Sequence, residues 1–161
     1  MPKPDDILPL EIEIYDSGAA EALKRLGSLD RVALMEAVGA DVAKWGAERI
    51  RSRKGAAPDG QPWQSLAAST LEKKRKKGKG HMGTLMQRPQ LLNSIVFQDA
   101  DEDSVSIGSN MVYARIHQKG GFAGRGKKVA IPARPYLGIS AHEMKLLKEK
   151  LALWIGKLAA G

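Results

Sequence analysis

The chain of 161 residues contains no cysteine. Disulfides, cysteine-based zinc sites and thiol nucleophiles are therefore excluded, which suits a reducing compartment. Aromatic residues make up only 5% of the chain, and none interleaves with the basic run at residues 73–79 to stack on bases. No stretch approaches the roughly 20 apolar residues needed to cross a bilayer. Residues 1–16, MPKPDDILPLEIEIYD, lack a basic flank followed by an apolar run, so no signal peptide is expected. The expectation is a soluble protein made in the cytoplasm, without membrane contact.

Chemistry is equally sparse. The three histidines are His81, His117 and His142, and none has the i, i+4 partner of a helical zinc site. Hydrogen bonding is the expected role of His117. No Walker loop or nucleophile elbow occurs. The glycines at 120, 121, 124 and 126 lack the Gly-Lys-Ser/Thr ending of a phosphate loop. The carboxylates at Asp99, Asp101, Glu102 and Asp103 read as a solvated turn. No catalytic residue, cofactor or metal site is assigned, and no enzymatic activity is expected.

What the chain has is positive charge, a net +8. Such a balance attracts polyanions and says little about fold. It is densest at Lys73, Lys74, Arg75, Lys76, Lys77 and Lys79. Like charges repel there, and Gly78 and Gly80 weaken a helix, so residues 72–90 are expected to form a mobile basic loop. These six cations are candidates for a polyanion contact by counterion release. The alternative is a plain solvated loop.

The length fits a single domain over residues 1–161. Residues 1–8 read as a loose arm. Apolar and charged residues alternate from Leu10, which predicts a strand burying Leu10, Ile12 and Ile14. A short helix runs to Leu26, with Asp16 or Ser17 as its cap. A longer one spans residues 30–52 with Leu34, Val38, Val42 and Trp45 in its stripe. Arg49, Arg51, Arg53 and Lys54 then stand at the negative end of its dipole, or else contact a polyanion. Trp63, after a Pro-Asp-Gly turn, is expected to anchor its loop on the core. Two alternating runs, residues 95–98 and 104–108, predict an antiparallel hairpin. A short helix is expected over residues 110–118, a short edge strand at Val129 and Ile131 before Pro132, and a last helix capped by Ser140. The fold class is α+β: a small antiparallel sheet packed against a long N-terminal helix and a C-terminal helix.

Residues 113–138, YARIHQKGGFAGRGKKVAIPARPYLG, carry the densest punctuation. An ordered start leads into a second mobile basic loop, residues 119–128, and then a proline-stiffened apolar segment. This reads as a surface device for contacting another molecule. Tyr113, His117, Gln118, Gly120, Gly121, Arg134 and Tyr136 are its candidate interface residues. For Arg134 and Tyr136 a second reading stands beside the first: Arg134 pairs within its own subunit and Tyr136 fills the core.

Four stretches, taken in order, carry a resemblance. They are PDGQPWQSL from Pro58, LLNSI from Leu91, VSIGSN from Val105 leading to YARIHQKGG from Tyr113, and IPARPYLG from Ile131. Together the chain resembles the phage virion-morphogenesis family, the tail-completion proteins of Mu-like tailed phages. Arg88-Pro89-Gln90 departs from the threonine-glycine expected before the second leucine of LLNSI. The resemblance implies a small α+β subunit acting in tail completion or head-to-tail joining, with no cofactor and no turnover. It implies a virion component assembled in the bacterial host cytoplasm, in a homo-oligomeric ring, commonly sixfold, at the head-proximal end of the tail. Its partners would be copies of itself, the tail tube and head-neck proteins, and DNA passing through the bore. A basic nucleic-acid-binding protein outside any virion is the alternative.

Overall fold

The computed structural model describes residues 10–13, 28–52, 55–86, 88–102 and 104–159. The loose arm and the short helix ending at Leu26 lie outside them, as do the side chains of the first strand. That strand, β1 (Leu10–Glu13), is present. It is followed among the described residues by helix α1 (Ser28–Arg51), α2 (Ala68–Lys76) and a single turn of helix, α3 (Gln90–Asn93). Strands β2 (Ile95–Gln98) and β3 (Ser104–Ser109) come next, then α4 (Ala114–Lys119). The chain continues through β4 (Gly121–Ala123), a 3-10 turn at Arg125–Lys127 and β5 (Val129–Ile131), and ends in α5 (Ala141–Ala159).

The main sheet is antiparallel in the order β1-β3-β2. Leu10 and Phe97 both pair with Ile107, from opposite sides of β3. Helix α1 lies on this sheet and buries Leu34, Met35, Val38, Val42, Ala43 and Ile50, the inward stripe of its 3.6-residue repeat. Two glycines seven residues apart set how close it comes. A Cβ on Gly39 would stand 2.7 Å from both Phe97 Cβ and Val105 Cγ2. One on Gly46 would stand 3.1 Å from Leu137 Cδ2. The sheet meets the helix at the first glycine and residues 136–137 meet it at the second.

Helix α5 closes the other side with Leu147 and Leu151 in the core. Its start is a reciprocal capping box. The Glu143 amide donates to Ser140 Oγ at 3.2 Å, and the Ser140 amide donates to Glu143 Oε2 at 2.7 Å. An ion pair from Lys150 to Asp41 joins α5 to the flank of α1. The fold is therefore the expected α+β arrangement.

A chain of hydroxyls explains the polar positions of LLNSI and SIGSN. Ser94 Oγ donates to Leu91 O at 2.8 Å, so the 2.7 Å contact with Ser109 Oγ has Ser109 as donor. The Met111 amide then donates to Ser109 Oγ at 3.2 Å. Ser109 is buried, and this relay satisfies it.

Two expected loops are more ordered than their composition suggests. Residues 68–76 of the lysine-rich stretch are helical, since α2 continues to Lys76 before Gly78 turns the chain. Residues 119–128 end α4 and then form the β4–β5 hairpin, with Gly121 opposite Ile131 and Ala123 opposite Val129. Gly120, Gly124 and Gly126 adopt positive φ at its bends, a conformation that a side chain disfavours. The helix expected over residues 110–118 begins at Ala114, after a turn.

Candidate functional site

Residues 132–138 form an extended strap across the end of α1. With Pro132 and Pro135 it cannot join a regular ladder, so its backbone groups need other partners. Side chains from distant elements supply them. Gln118 accepts from the Tyr136 and Leu137 amides with Oε1, at 2.9 and 3.0 Å, and donates from Nε2 to Leu137 O at 2.9 Å. Arg49 donates to Tyr136 O and Gly138 O, at 3.2 and 2.9 Å, and its second terminal nitrogen pairs with Glu143. Trp63 Nε1 donates to Pro135 O at 2.9 Å. The Arg134 amide donates to His117 O at 2.7 Å.

Inside the strap Tyr136 is 0% exposed, with its hydroxyl 3.4 Å from Ala114 O. Burial, and then neighbouring Tyr113, push its phenol well above the usual range, so it stays a neutral donor. Arg134 is 4% exposed and donates from Nε and Nη2 to Gln64 O, at 3.1 and 3.0 Å. Both side chains thus lie in the subunit's interior, as in the second of their two readings. The cause is local: proline on either side leaves the strap dependent on side-chain ties, and those ties bury it. Trp63 anchors its loop as expected. Its ring packs so closely on Gly55 that a Cβ there would stand 2.2 Å from Cε3.

The remaining candidates divide. Tyr113 is exposed and meets the His117 ring edge-on, with centroids 5.8 Å apart. His117 is half-buried, and its Nδ1 is buried without a hydrogen-bond partner. Desolvation, and then the Arg134 charge, hold its imidazole below the usual pKa. Gln118 and Gly120 are structural: a Cβ on Gly120 would stand 2.9 Å from the Ala133 amide nitrogen. Gly121 lies at the exposed base of the hairpin.

Of the six basic candidates, Lys73, Arg75, Lys76 and Lys77 are exposed, and Lys76 pairs with Glu72 at 2.9 Å. Lys79 is half-buried. Lys74 does not belong with them. It is 4% exposed, and its ammonium donates to Met82 O and Gly83 O at 3.1 and 2.8 Å. Burial, and then the Lys79 charge, lower its pKa. Arg49 is the site residue that sequence reasoning missed, because a cation in the last turn of a helix is already accounted for by the dipole.

Exposed apolar side chains collect elsewhere. On the β4–β5 hairpin Phe122 is 66% and Val129 54% exposed, beside exposed Arg125, Lys127 and Lys128. On the β2–β3 hairpin Val96 and Phe97 are exposed, and the turn beyond them holds Asp99, Asp101 and Glu102. Among the described residues no cluster of three His, Cys, Asp or Glu could hold a metal ion, and no helix is long and apolar enough to cross a membrane.

Mu-like prophage FluMu G protein 2 of Haemophilus influenzae is 45% identical over 68 residues, 42% of this chain and 49% of that protein. The chain therefore matches about half the length of that relative. The putative capsid assembly protein G of Escherichia phage Mu is 31% identical over 119 residues, 73% of this chain and 76% of that protein. No solved structure matches. The model of the phage virion morphogenesis family matches residues 14–155, and the chain belongs to that family.

Proposed function

We propose that the chain is a structural subunit acting in tail completion or head-to-tail joining, and that it assembles as a ring at the head-proximal end of the tail. Family membership and a relative named for capsid assembly support a structural role in building the virion. The observation that carries the finer reading is the pair of unlike hairpins. One presents Phe122 and Val129 with three cations, and the other carries Val96 and Phe97 near exposed Asp99 and Asp101, with Glu102 already paired to Arg31. A surface that complements a different surface of an identical copy makes a head-to-tail contact, and such contacts form a ring when the rotation between copies closes. Sixfold closure is the expected size, with assembly in the bacterial host cytoplasm and the tail tube and head-neck proteins as neighbours.

Light scattering after size exclusion tests the ring. A discrete species several times the monomer mass supports it. A monomer at every concentration and at low salt, including in the presence of purified tail tubes, counts against it.

A second reading rests on α2. Lys73, Arg75, Lys76 and Lys77 are exposed together, and among the described residues only Lys76 of the four has a carboxylate partner. In a ring that DNA passes through, these four would line the bore. Duplex binding that weakens steeply with salt supports this, and no binding at low salt rejects it.

A further inference from the structure

Lys74 and Arg134 both line a cleft of about 290 Å³, together with Thr70, Thr84, Leu85 and His117. The volume is at the lower edge of ordinary small-ligand pockets, ~300–1,000 Å³. We propose that this cleft binds a single oxyanion group, a carboxylate or a phosphate, between Lys74 and Arg134.

The argument begins with charge. Each of the two cations is nine-tenths buried or more, and neither forms an ion pair with any described residue. Each is held by backbone carbonyl oxygens alone: Met82 and Gly83 for Lys74, Gln64 and Ser65 for Arg134. Carbonyl dipoles satisfy hydrogen-bonding capacity but leave net charge uncompensated, and uncompensated buried charge is costly. Lys74 uses two of its three N–H donors on these carbonyls, and Arg134 Nη1 makes no hydrogen bond to a described residue. Donor capacity is left over on both cations.

The remaining lining suits the same ligand. Thr70 and Thr84 bring hydroxyls, and Leu66, Leu85 and Pro132 bring a low-dielectric wall that strengthens charge-assisted bonds. His117 carries the buried Nδ1 without a partner. A bound anion would favour its protonated form, against the present effect of Arg134. No carboxylate lines the cleft to repel the ligand.

The test follows the three imidazoles by NMR in the folded chain. Sodium phosphate and, separately, sodium acetate are titrated in at ionic strength held constant with chloride. The expected result is a saturable shift of His117 with a rise in its pKa, while exposed His81 and His142 follow the chloride control. A response to phosphate alone identifies a phosphate site, and a response to acetate a carboxylate site. In Lys74→Met the affinity should fall about tenfold or more. Should that variant not fold, Thr84→Val, which leaves both cations in place, should still weaken binding several-fold. The proposal is overturned if neither anion moves His117 beyond the chloride control, or if all three histidines shift together.

Discussion

Residues 121–131 and residues 132–138 follow one another without a break, the first carrying three glycines and three cations and the second two prolines and a single arginine. In the first, Phe122 and Val129 lie open to solvent and three cations have no carboxylate partner among the described residues. In the second, Tyr136 and Arg134 are enclosed, and side chains from three distant elements hold the backbone. Adjacent segments of one chain therefore serve opposite ends. The hairpin satisfies its backbone within itself, so its side chains are left over for a partner. The strap cannot pair with a strand, so it consumes side chains and is buried by them. An interface in this chain is to be sought where backbone bonding is self-contained.

The sharpest way to break this contrast is to cut the strap's ties. Arg49→Ala removes two carbonyl contacts and leaves the largely buried Glu143 carboxylate without its cation. A loss of about 3 kcal/mol is expected in chemical denaturation. Gln118→Ala leaves the Tyr136 and Leu137 amides unpaired and should cost about 2 kcal/mol. Arg134→Ala should likewise lower the melting temperature together with any assembly. An Arg134→Ala chain that melts normally but fails to assemble would return that residue to the interface.

A subtler probe is pH. The His117 pKa in the folded chain lies below the ordinary 6.5, so the unfolded chain takes up the proton more readily. Its contribution to stability is present above about 6.5 and is lost as pH falls through the folded value. His117→Gln should flatten the decline in denaturation midpoint between about pH 7.5 and 5. An unchanged slope would mean that other groups govern the acid limb. The hairpin supplies the opposite limit. Phe122→Ser should alter subunit stability by less than about 0.5 kcal/mol, as for exposed positions generally. The same change should reduce the mass seen by light scattering.

The contrast also measures how far the sequence is legible. Helix α1, the β2–β3 hairpin, the Ser140 cap and the short strand before Pro132 all follow from local signals: periodicity, turn residues and capping. The strap's burial does not, because Arg49 and Trp63 reach it from 87 and 72 residues away. Lys74 is hidden for a different reason. Residues 73–77 are all Lys or Arg, and only the helical phase of α2 turns one of them inward. A helix carried through that run would have required one such residue, but nothing local names it. Strand β4, by contrast, is three residues long and too short for a period to register.

The separation between Arg49 and its carbonyl partners also has a consequence in time. A ribosome adds ~5–20 residues per second, so the 87 residues from Arg49 to Tyr136 take roughly 4 to 17 s to appear. Helix α1 and the sheet strands through Ser109 are synthesised before that moment, and so is the apolar hairpin. Phe122 and Val129 come only 14 and 7 residues before Tyr136, so the hairpin and the latch are made almost together. For most of the interval it is Arg49 and the end of helix α1 that stand without the strap they hold in the finished fold.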